Sequence, residues 1–342
     1  MQVSTIGIDL AKNVFQVHGV DTAGKVALTK KLRRSQVLAL FETLPPCLIG
    51  IEACATAHHW ARELKALGHD VRLMPASYVK AYVKRGKNDA ADAAAICEAV
   101  TRPSMRFVPI KCVEQQAALM LHRARDLLIR QRTQLINALR AHLAELGMVA
   151  ATGRDGVKKL LAIVAGETEE RLPGPMRAAL QALIAQLEAL QQQIGKLECQ
   201  LHAQHRASEA SRRLEAIPGI GVIGATAIAA TVTDPRAFKS GREFAAWIGL
   251  VPRQNSSGGK ERLGSISKQG DRYLRRLLVV GATAVIRHAR AHPAKHAWLM
   301  QLLARRPAKV AAVALANKMA RIAWAVLARG EVYRAPVIAE SV

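Results

Sequence analysis

The chain has 342 residues, more than one compact core usually serves, so we expect two or three domains. Half of the residues are hydrophobic but only 4% are aromatic, and alanine and leucine fill the apolar positions instead, which favours helices. The formal net charge of +24 favours a polyanionic partner, with nucleic acid as the leading candidate. No uninterrupted apolar run reaches membrane-spanning length, so we expect no membrane partner, and the N-terminal sequence MQVSTIGIDLAKN lacks the regions of a secretory signal.

The cysteines indicate a reducing compartment. They form no CxxC pair, and their odd number would leave one over in a disulfide framework. We therefore expect reduced, buried cysteines in a cytoplasmic protein: Cys47, Cys54, Cys97, Cys112 and Cys199.

The first 110 residues alternate in the manner of a mixed α/β sheet. Three strands in succession predict an antiparallel meander over residues 3–10, 14–20 and 25–32. Ser35 is expected to cap a helix that stops before Pro45. The sheet then continues through helical crossovers, with a strand over residues 47–54, a helix over 56–67 and a strand over 70–74.

Four carboxylates in this region are candidates for a metal site. Asp9 and Glu52 are single acids in otherwise apolar strands, where burying an unpaired charge is costly. Asp89 and Asp92 are spaced i, i+3 in KNDAADAAAI, which places them on one helix face, and the alanines around them let that face approach a sheet closely. Four such acids predict a cage for one or two Mg²⁺ ions. Three of the acids also have an ordinary interpretation when taken singly: Asp89 as a helix cap, Asp92 as a first-turn acid and Asp9 as a turn residue. The cations just before the helix are expected to contact nucleic-acid phosphate: Lys84, Arg85 and Lys87.

A second candidate site lies in residues 251–278, VPRQNSSGGKERLGSISKQGDRYLRRLL. Ser256 and Ser257 stand directly before Gly258 and Gly259, so the backbone can adopt positive φ and approach a ligand closely. A serine in a glycine turn ringed by cations suits a phosphodiester, since the cations hold the phosphate while the hydroxyl attacks phosphorus. A solvated basic loop that only contacts nucleic-acid backbone is an equally good interpretation of the spacing. The cations are Arg253, Lys260, Arg262, Lys268, Arg272, Arg275 and Arg276.

Long helices are predicted in the middle of the chain. Residues 114–146 have helical apolar spacing and carry arginines, among them Arg123 and Arg130, which we expect to line an RNA or DNA surface. Residues 175–205 repeat leucine or isoleucine every seven residues, as in a coiled coil, so the two helices either pair within one chain or build a dimer. A looser segment with four glycines, residues 149–174, separates them.

The last third begins with LEAIPGIG before an alanine-rich helix, which is a helix–hairpin–helix-like pattern. Gly219 and Gly221 would offer backbone N–H groups to a DNA phosphate, although this turn also serves as a packing device. Basic helices follow to about residue 329, and the tail from Val332 is expected to be loosely ordered. The predicted domains are an α/β domain over 1–110, a helical spacer over 111–207 and a helical serine domain over 208–342.

Several motifs together resemble a known family. IGIDLAKN, IEACATAHHWA and KNDAADAAAI resemble the acidic motifs of a ribonuclease-H-like, RuvC-type catalytic domain with an Asp-Glu-Asp-Asp (DEDD) set. AIPGIGVIGA, FAAWIGLVPRQNSSGGK and GSISKQGDRYLRRLLVVGA resemble the second domain of Piv-type DNA invertases and related insertion-sequence transposases. The resemblance spans nearly the whole chain. It implies that Mg²⁺ is held by Asp9, Glu52, Asp89 and Asp92, and that Ser257, with Ser256 as the second candidate, attacks DNA.

The resemblance further implies a fold and a function. The fold would combine a ribonuclease-H-like α/β domain, long coiled-coil helices and an α-helical serine domain. The function would be that of a transposase or site-specific recombinase, guided by a structured non-coding bridge RNA and acting through a phosphoserine–DNA intermediate without net hydrolysis. Donor and target DNA duplexes would be held by a homodimer or tetramer, in the cytoplasm and on the nucleoid.

Two alternatives stay open on the residues alone. In a metal-only RuvC-like nuclease or junction resolvase, a water activated by the metal attacks the DNA and Ser257 only contacts phosphate. A non-catalytic nucleic-acid-binding protein would not need the four acids at all.

Overall fold

The structure is a computed structural model that describes residues 2–83, 88–166 and 172–334. The chain forms two compact units, Met1–Gln115 (unit 1) and Gln116–Val342 (unit 2), and each is described by itself. The predicted phosphate contacts of Lys84, Arg85 and Lys87 lie outside the described residues, as does most of the C-terminal tail.

Unit 1 is built on a five-stranded mixed sheet with the strand order β3-β2-β1-β4-β5. The first three strands pair antiparallel, while β4 and β5 run parallel to β1. The predicted meander and mixed sheet are confirmed, and the arrangement is consistent with a ribonuclease-H-like domain. Side chains alternate between the faces of the sheet because the strand period is two residues. The strands are β1 (Thr5–Leu10), β2 (Val14–Val20), β3 (Val26–Arg33), β4 (Leu48–Glu52) and β5 (Asp70–Met74).

Four α-helices accompany this sheet in the described part of unit 1. The predicted cap at Ser35 is wrong, because a 3₁₀ turn over Arg34–Gln36 precedes the first helix and Gln36 occupies its N-cap position. Buried side chains of the first two helices, among them Phe41 and Trp60, share a core with the apolar strand residues. The helices are α1 (Val37–Glu42), α2 (Ala57–Ala66), α3 (Ala76–Val79) and α4 (Asp89–Val100).

Helix α4 lies very close to the sheet at two glycines. Gly7 of β1 and Gly50 of β4 are direct neighbours in the parallel register. A Cβ atom on Gly7 would lie 2.2 Å from the carbonyl oxygen of Ala93, and one on Gly50 would lie 3.1 Å from that of Ile96. No real Cβ atom fits at the first distance, so the sheet can receive this helix only because both residues lack side chains.

The cysteines are all free, but the expectation that all five are buried is wrong. Cys47 and Cys97 are buried in unit 1, whereas Cys54, Cys112 and Cys199 are exposed. The exposed cysteines lie just after β4, just before the first long helix and on the second long helix, where no core covers them.

Unit 2 is mainly helical. Its helices and the two strands of its hairpin are α5 (Val113–Ala144), α6 (Arg154–Ala165), α7 (Gly174–Ala207), α8 (Glu209–Glu215), α9 (Val222–Thr231), α10 (Gly241–Trp247), β6 (Pro252–Gln254), β7 (Leu263–Ile266), α11 (Arg272–Ala291), α12 (Ala297–Arg305) and α13 (Ala308–Arg329).

The two long helices pair with each other within the chain. The guanidinium of Arg125 on α5 lies 2.6 Å from the carboxylate of Glu198 on α7. Leu143 of α5 and Leu187 of α7 belong to one core that also contains Leu160 of α6. The expectation of a loose segment before α7 is therefore wrong over α6, whose apolar residues recur at helical spacing although the glycines around them suggested a loop.

A buried polar contact joins α5 to α11. The Nδ1 atom of His122 lies 3.1 Å from the hydroxyl of Tyr273. Burial, together with the nearby Arg125 cation, lowers the pKa of His122 to about 4. The imidazole is therefore neutral at physiological pH.

Helix α13 is apolar over most of its length, although Asn317, Lys318 and Arg321 interrupt the run, in line with the expectation from the sequence. By length and composition it is the one helix of the described chain that could cross a membrane. Its buried residues, including Ala316, Ala320 and Ala323, belong to the main core of unit 2. This helix is therefore packed as a core helix of a globular unit.

We predict that Gly7→Ala destabilises the protein, because the new methyl group must push α4 away from the sheet. The free energy of unfolding should fall by about 3 kcal/mol in urea titrations. Gly195→Ala is the control: Gly195 is exposed inside α7 with no atom within 4 Å of a built Cβ. That control should gain about 0.5–1 kcal/mol from helix propensity. Equal stability of Gly7→Ala and wild type would contradict the close contact.

Candidate active site

The four acids singled out in the sequence come together at one end of the sheet. Carboxylate oxygens of Asp9, Asp89 and Asp92 all lie within 4.8 Å of one another. The charge of Glu52 raises the pKa of Asp9, and the charge of Asp92 raises the pKa of Glu52. The fourth acid therefore lies near the other three. We call Asp9, Glu52, Asp89 and Asp92 the acid cluster; their catalytic role stays a prediction.

Strand register and the helix start produce this cluster. Ile8 pairs with Ile51 in the parallel ladder, so the next residues, Asp9 and Glu52, follow at one level on neighbouring strands. They share the sheet face of the paired glycines, which α4 crosses. The side chain of Asn88 accepts a hydrogen bond from the Ala90 N–H at 2.9 Å and so caps α4. The alternative in which Asp89 is the cap is therefore wrong.

Crowding of negative charge perturbs these acids. Burial raises the pKa of Asp9 to about 6, with further upward contributions from Asp92, Asp89 and Glu52. Burial and the charge of Asp92 also raise the pKa of Glu52. An opposite charge at this place would remove the repulsion and favour the ionised carboxylates.

The acid cluster fits a divalent metal ion. Carboxylate oxygens are the donors that hard cations such as Mg²⁺ prefer, and the three residues that converge here offer only such oxygens. Two oxygens bound to one Mg²⁺ at about 2.1 Å lie at most about 4.2 Å apart, so the observed spacing needs only small side-chain shifts. The cluster lies wholly in unit 1.

The two serines lie on a β-hairpin in unit 2, so the prediction of a purely α-helical serine domain is corrected. The backbone N–H of Lys260 donates to the carbonyl oxygen of Ser257 at 3.1 Å and closes a tight turn. Gly258 and Gly259 form that turn with φ of 57° and 77°. Positive φ at both central residues is what a type I′ hairpin turn requires, and glycine supplies it without strain.

The hydroxyls of the two serines differ in their surroundings. The Oγ of Ser256 accepts a hydrogen bond from the Arg262 N–H at 3.2 Å, across the hairpin. Among the described residues, no hydrogen bond is made by the Oγ of Ser257, and this side chain is exposed at the turn. Ser256 thus contributes to hairpin structure, whereas the hydroxyl of Ser257 is available to a ligand.

The base of the hairpin is held by close backbone contacts and one arginine. A Cβ atom on Gly249 would lie 2.3 Å from the carbonyl oxygen of Gln269, and one on Gly270 would lie 1.8 Å from another backbone carbonyl. The Nη1 atom of Arg275 donates to the carbonyl oxygens of Ile248 and Gln269, both at 2.7 Å. These carbonyls flank the hairpin on either side, so one guanidinium ties its two ends together. Sequence reasoning missed this role; the nucleic-acid contact of Arg275 stays a prediction.

The other predicted nucleic-acid contacts fall into two groups. Arg130 and Arg276 both pair with Asp126, whose carboxylate lies 3.7 Å from Arg130 Nε. Arg253 donates to the Ser267 carbonyl at 3.3 Å. The remaining side chains are exposed and form no ion pair with any residue that the structure describes: Arg123, Lys260, Arg262, Lys268 and Arg272.

The two glycines of the helix–hairpin–helix-like turn have different surroundings. A Cβ atom on Gly219 would lie 2.8 Å from Met319 and 3.0 Å from the Gly281 carbonyl oxygen, so the packing interpretation applies to this residue. Gly221 is exposed and occupies the N-cap of α9. Phosphate binding at Gly221 stays a prediction.

We predict that Asp9→Asn stabilises the metal-free protein. The folded-state pKa of Asp9, about 6, lies above its ordinary 3.8, so ionisation destabilises the fold fully above about pH 6, and this cost vanishes as pH falls below 3.8. Because the carboxylate is half-exposed and partly screened, we expect a gain of about 1–2 kcal/mol near pH 8 and little gain near pH 4. Urea unfolding with a chelator measures this. Exposed Glu42, changed to Gln, is the control, and an equal gain in both variants would contradict the assignment.

Comparisons with known proteins relate both parts of the chain to transposases. Residues 6–148, which include the acid cluster, match the IS110-type DEDD transposase family, and residues 211–297, which include the hairpin, match the transposase IS116/IS110/IS902 family. The chain is 53% identical to a "Probable family 20 transposase" of Pseudomonas aeruginosa, over 98% of this chain and 99% of that protein. It is 41% identical to the transposase for insertion sequence element IS1111A of Coxiella burnetii (97% of this chain, 92% of the relative) and to that for IS1328 of Yersinia enterocolitica (97% and 98%).

DEDD domains of this kind use divalent metal ions, which the acid cluster fits. The chain therefore belongs to the IS116/IS110/IS902 family of transposases, enzymes that cleave and rejoin DNA.

Proposed function

We propose that this transposase, like the Piv-type invertases it resembles, uses Mg²⁺ at the acid cluster and Ser257 as nucleophile, and that a structured bridge RNA guides it to its DNA sites. The observation that carries the proposal is the convergence of Asp9, Asp89 and Asp92 within 4.8 Å, bordered by Glu52. Four neighbouring acids, with no ion pair to a cation among the residues that the structure describes, are otherwise hard to reconcile with DNA binding by a chain of net charge +24.

The acid cluster would hold the metal ion through its carboxylate oxygens. When bound, a divalent ion supplies Lewis-acid stabilisation of the negative charge on the phosphoryl oxygens. Asp9 and Glu52 are held on adjacent strands of the hydrogen-bonded sheet, and Asp89 and Asp92 come from the first turn of α4. Such a rigid arrangement suits catalysis because little reorganisation is needed as the reaction proceeds.

Ser257 would attack the scissile phosphorus through its Oγ. The new ester bond between this oxygen and phosphorus replaces the bond to the leaving sugar oxygen, which takes up a proton. In the second step the hydroxyl of another DNA end attacks the phosphoserine and releases the serine. Each step exchanges one phosphodiester bond for another, so strands can be rejoined without an external energy source. Exposure of Ser257 and the availability of its hydroxyl support this choice over Ser256.

The hairpin offers further support for the serine chemistry. Lys260 closes the turn and Arg262 lies two residues beyond it, and both side chains would hold the phosphate oxygens. The arginine clamp at the hairpin base limits the freedom of the whole element. A fixed nucleophile lowers the entropic cost of reaching the attacking geometry.

The remaining proposals concern partners and place of action. The net charge and the exposed Arg123 of α5 suit a structured guide RNA in addition to donor and target DNA duplexes. Two duplexes held at once require a homodimer or tetramer, acting in the cytoplasm on the nucleoid. Sequencing the RNA that copurifies with the protein tests the guide; recovery of only random fragments would contradict it.

A metal-only RuvC-like nuclease or junction resolvase is the second candidate. It is favoured by one observation: the hydroxyl of Ser257 has no general base hydrogen-bonded to it among the described residues. In that case a water molecule attacks phosphorus, and no covalent protein–DNA product forms.

We predict that Asp92→Asn lowers Mg²⁺-dependent DNA cleavage about 100-fold or more, because one ligand of the ion is lost, while DNA binding persists. Glu98→Gln is the matched control. Glu98 lies on the same helix and pairs with Arg102, outside the acid cluster. Cleavage is measured at limiting Mg²⁺. Wild-type activity of Asp92→Asn would remove this residue from the proposed metal site.

We predict that wild-type protein becomes covalently attached to one end of a nicked DNA substrate and that Ser257→Ala loses both attachment and recombination. Alanine has no oxygen with which to form the phosphodiester. Ser256→Ala should keep both activities at a reduced rate. Denaturing electrophoresis of end-labelled DNA, with and without protease, measures the attachment. Cleavage without a protease-sensitive band, unchanged in Ser257→Ala, would favour the metal-only nuclease instead.

A further inference from the structure

A cleft of about 820 Å³ in unit 2 is not part of either candidate site. It opens between the start of α10, the start of α12 and the middle of α13. A Cβ atom on buried Gly241 would lie 3.0 Å from the Arg321 carbonyl oxygen, so α10 and α13 are in backbone contact here. The side chain of Asn317 donates to the Leu250 carbonyl at 3.2 Å. The cleft is therefore formed by fixed elements, in the size range of small-molecule sites.

All of the charged side chains that line the cleft are positive. Arg242, Lys318 and Arg321 line it, and no carboxylate does. All three cations are exposed, and none of them forms an ion pair with a carboxylate of residues 2–83, 88–166 or 172–334. Such a lining selects an anionic ligand.

The cleft also contains an aromatic surface. Trp298 is 43% exposed, and the Nζ atom of Lys318 lies 4.5 Å from the centroid of its ring. Phosphate-binding cations next to an accessible indole are the combination by which proteins hold unpaired nucleotides, since the base stacks on the ring while the cations hold the backbone. Bases within a duplex have both faces covered and cannot stack in this way.

We propose that this cleft binds one unpaired nucleotide of a single-stranded nucleic acid. The base stacks on Trp298, and the adjoining phosphate is held by Arg242 and Arg321. Lys318, which covers the ring in the free protein, turns to the phosphate when the base takes its place. The site lies outside the hairpin, so it stands independently of the serine chemistry, and Ser257→Ala should leave it unchanged.

The test compares a thymidine tetranucleotide with the same backbone carrying abasic sites. General electrostatic binding treats the two alike, whereas stacking favours the tetranucleotide. We expect wild-type protein to bind it about 10-fold more tightly than the abasic chain. Trp298→Leu should reduce that ratio to about one, and Trp298→Phe should retain part of it. Equilibrium affinities from competition titrations give the ratio, and a uridine tetranucleotide shows whether DNA or RNA is preferred.

Matched controls separate this site from the rest of the basic surface. Trp247 is 39% exposed in the same unit but does not line the cleft, so Trp247→Leu should keep the ratio. Arg321→Gln should weaken both ligands, whereas Lys309→Gln, on the same helix and outside the cleft, should change neither appreciably. Thermal denaturation confirms that the variants fold. A wild-type ratio near one, or a ratio that survives in Trp298→Leu, overturns the proposal.

Discussion

A helix can cross a sheet with its backbone almost touching the strands only where the strands carry no side chains. Helix α4 crosses β1 and β4 at the paired residues Gly7 and Gly50, where a methyl group on Gly7 would overlap backbone atoms of the helix. The position of α4 decides where its first turn lies. Because Asp89 and Asp92 are in that turn, the same close contact brings carboxylates from distant parts of the sequence to the end of β1. The geometry of the acid cluster thus depends on two residues that have no side chain.

Gathering these acids has an electrostatic cost in the metal-free protein. Burial and like charges raise the pKa of Asp9 to about 6. The same charges would repel a DNA phosphate, although the rest of the chain, with its net charge of +24, attracts one. A divalent cation reconciles the two, since it offsets the local negative charge and leaves the overall attraction intact.

The hairpin of unit 2 combines an exposed tip with a constrained base. At the tip, Gly258 and Gly259 make a tight turn and leave the hydroxyl of Ser257 available. At the base, glycines allow the two chain segments to touch, and Arg275 bonds to carbonyl groups on both sides. Access to the substrate and a limited number of orientations are what a nucleophile needs, so both features support the proposal made for Ser257.

The strands of unit 1 were predictable from the sequence alone, because strand-length apolar runs follow one another after short turns. The sequence also singled out Asp9 and Glu52 as single acids in apolar strands, and Asp89 and Asp92 by their i, i+3 spacing on one helix face. It also indicated the glycine turn beside Ser257. It could not assign Arg275 to the hairpin base or Gly219 to helix packing, since a basic side chain and a glycine look the same in sequence whether they contact a phosphate or the protein's own backbone. Nor could it decide that the heptad residues of α7 pair with α5 of the same chain. Those outcomes depend on which distant segments lie together, and only the tertiary structure brings those segments into contact.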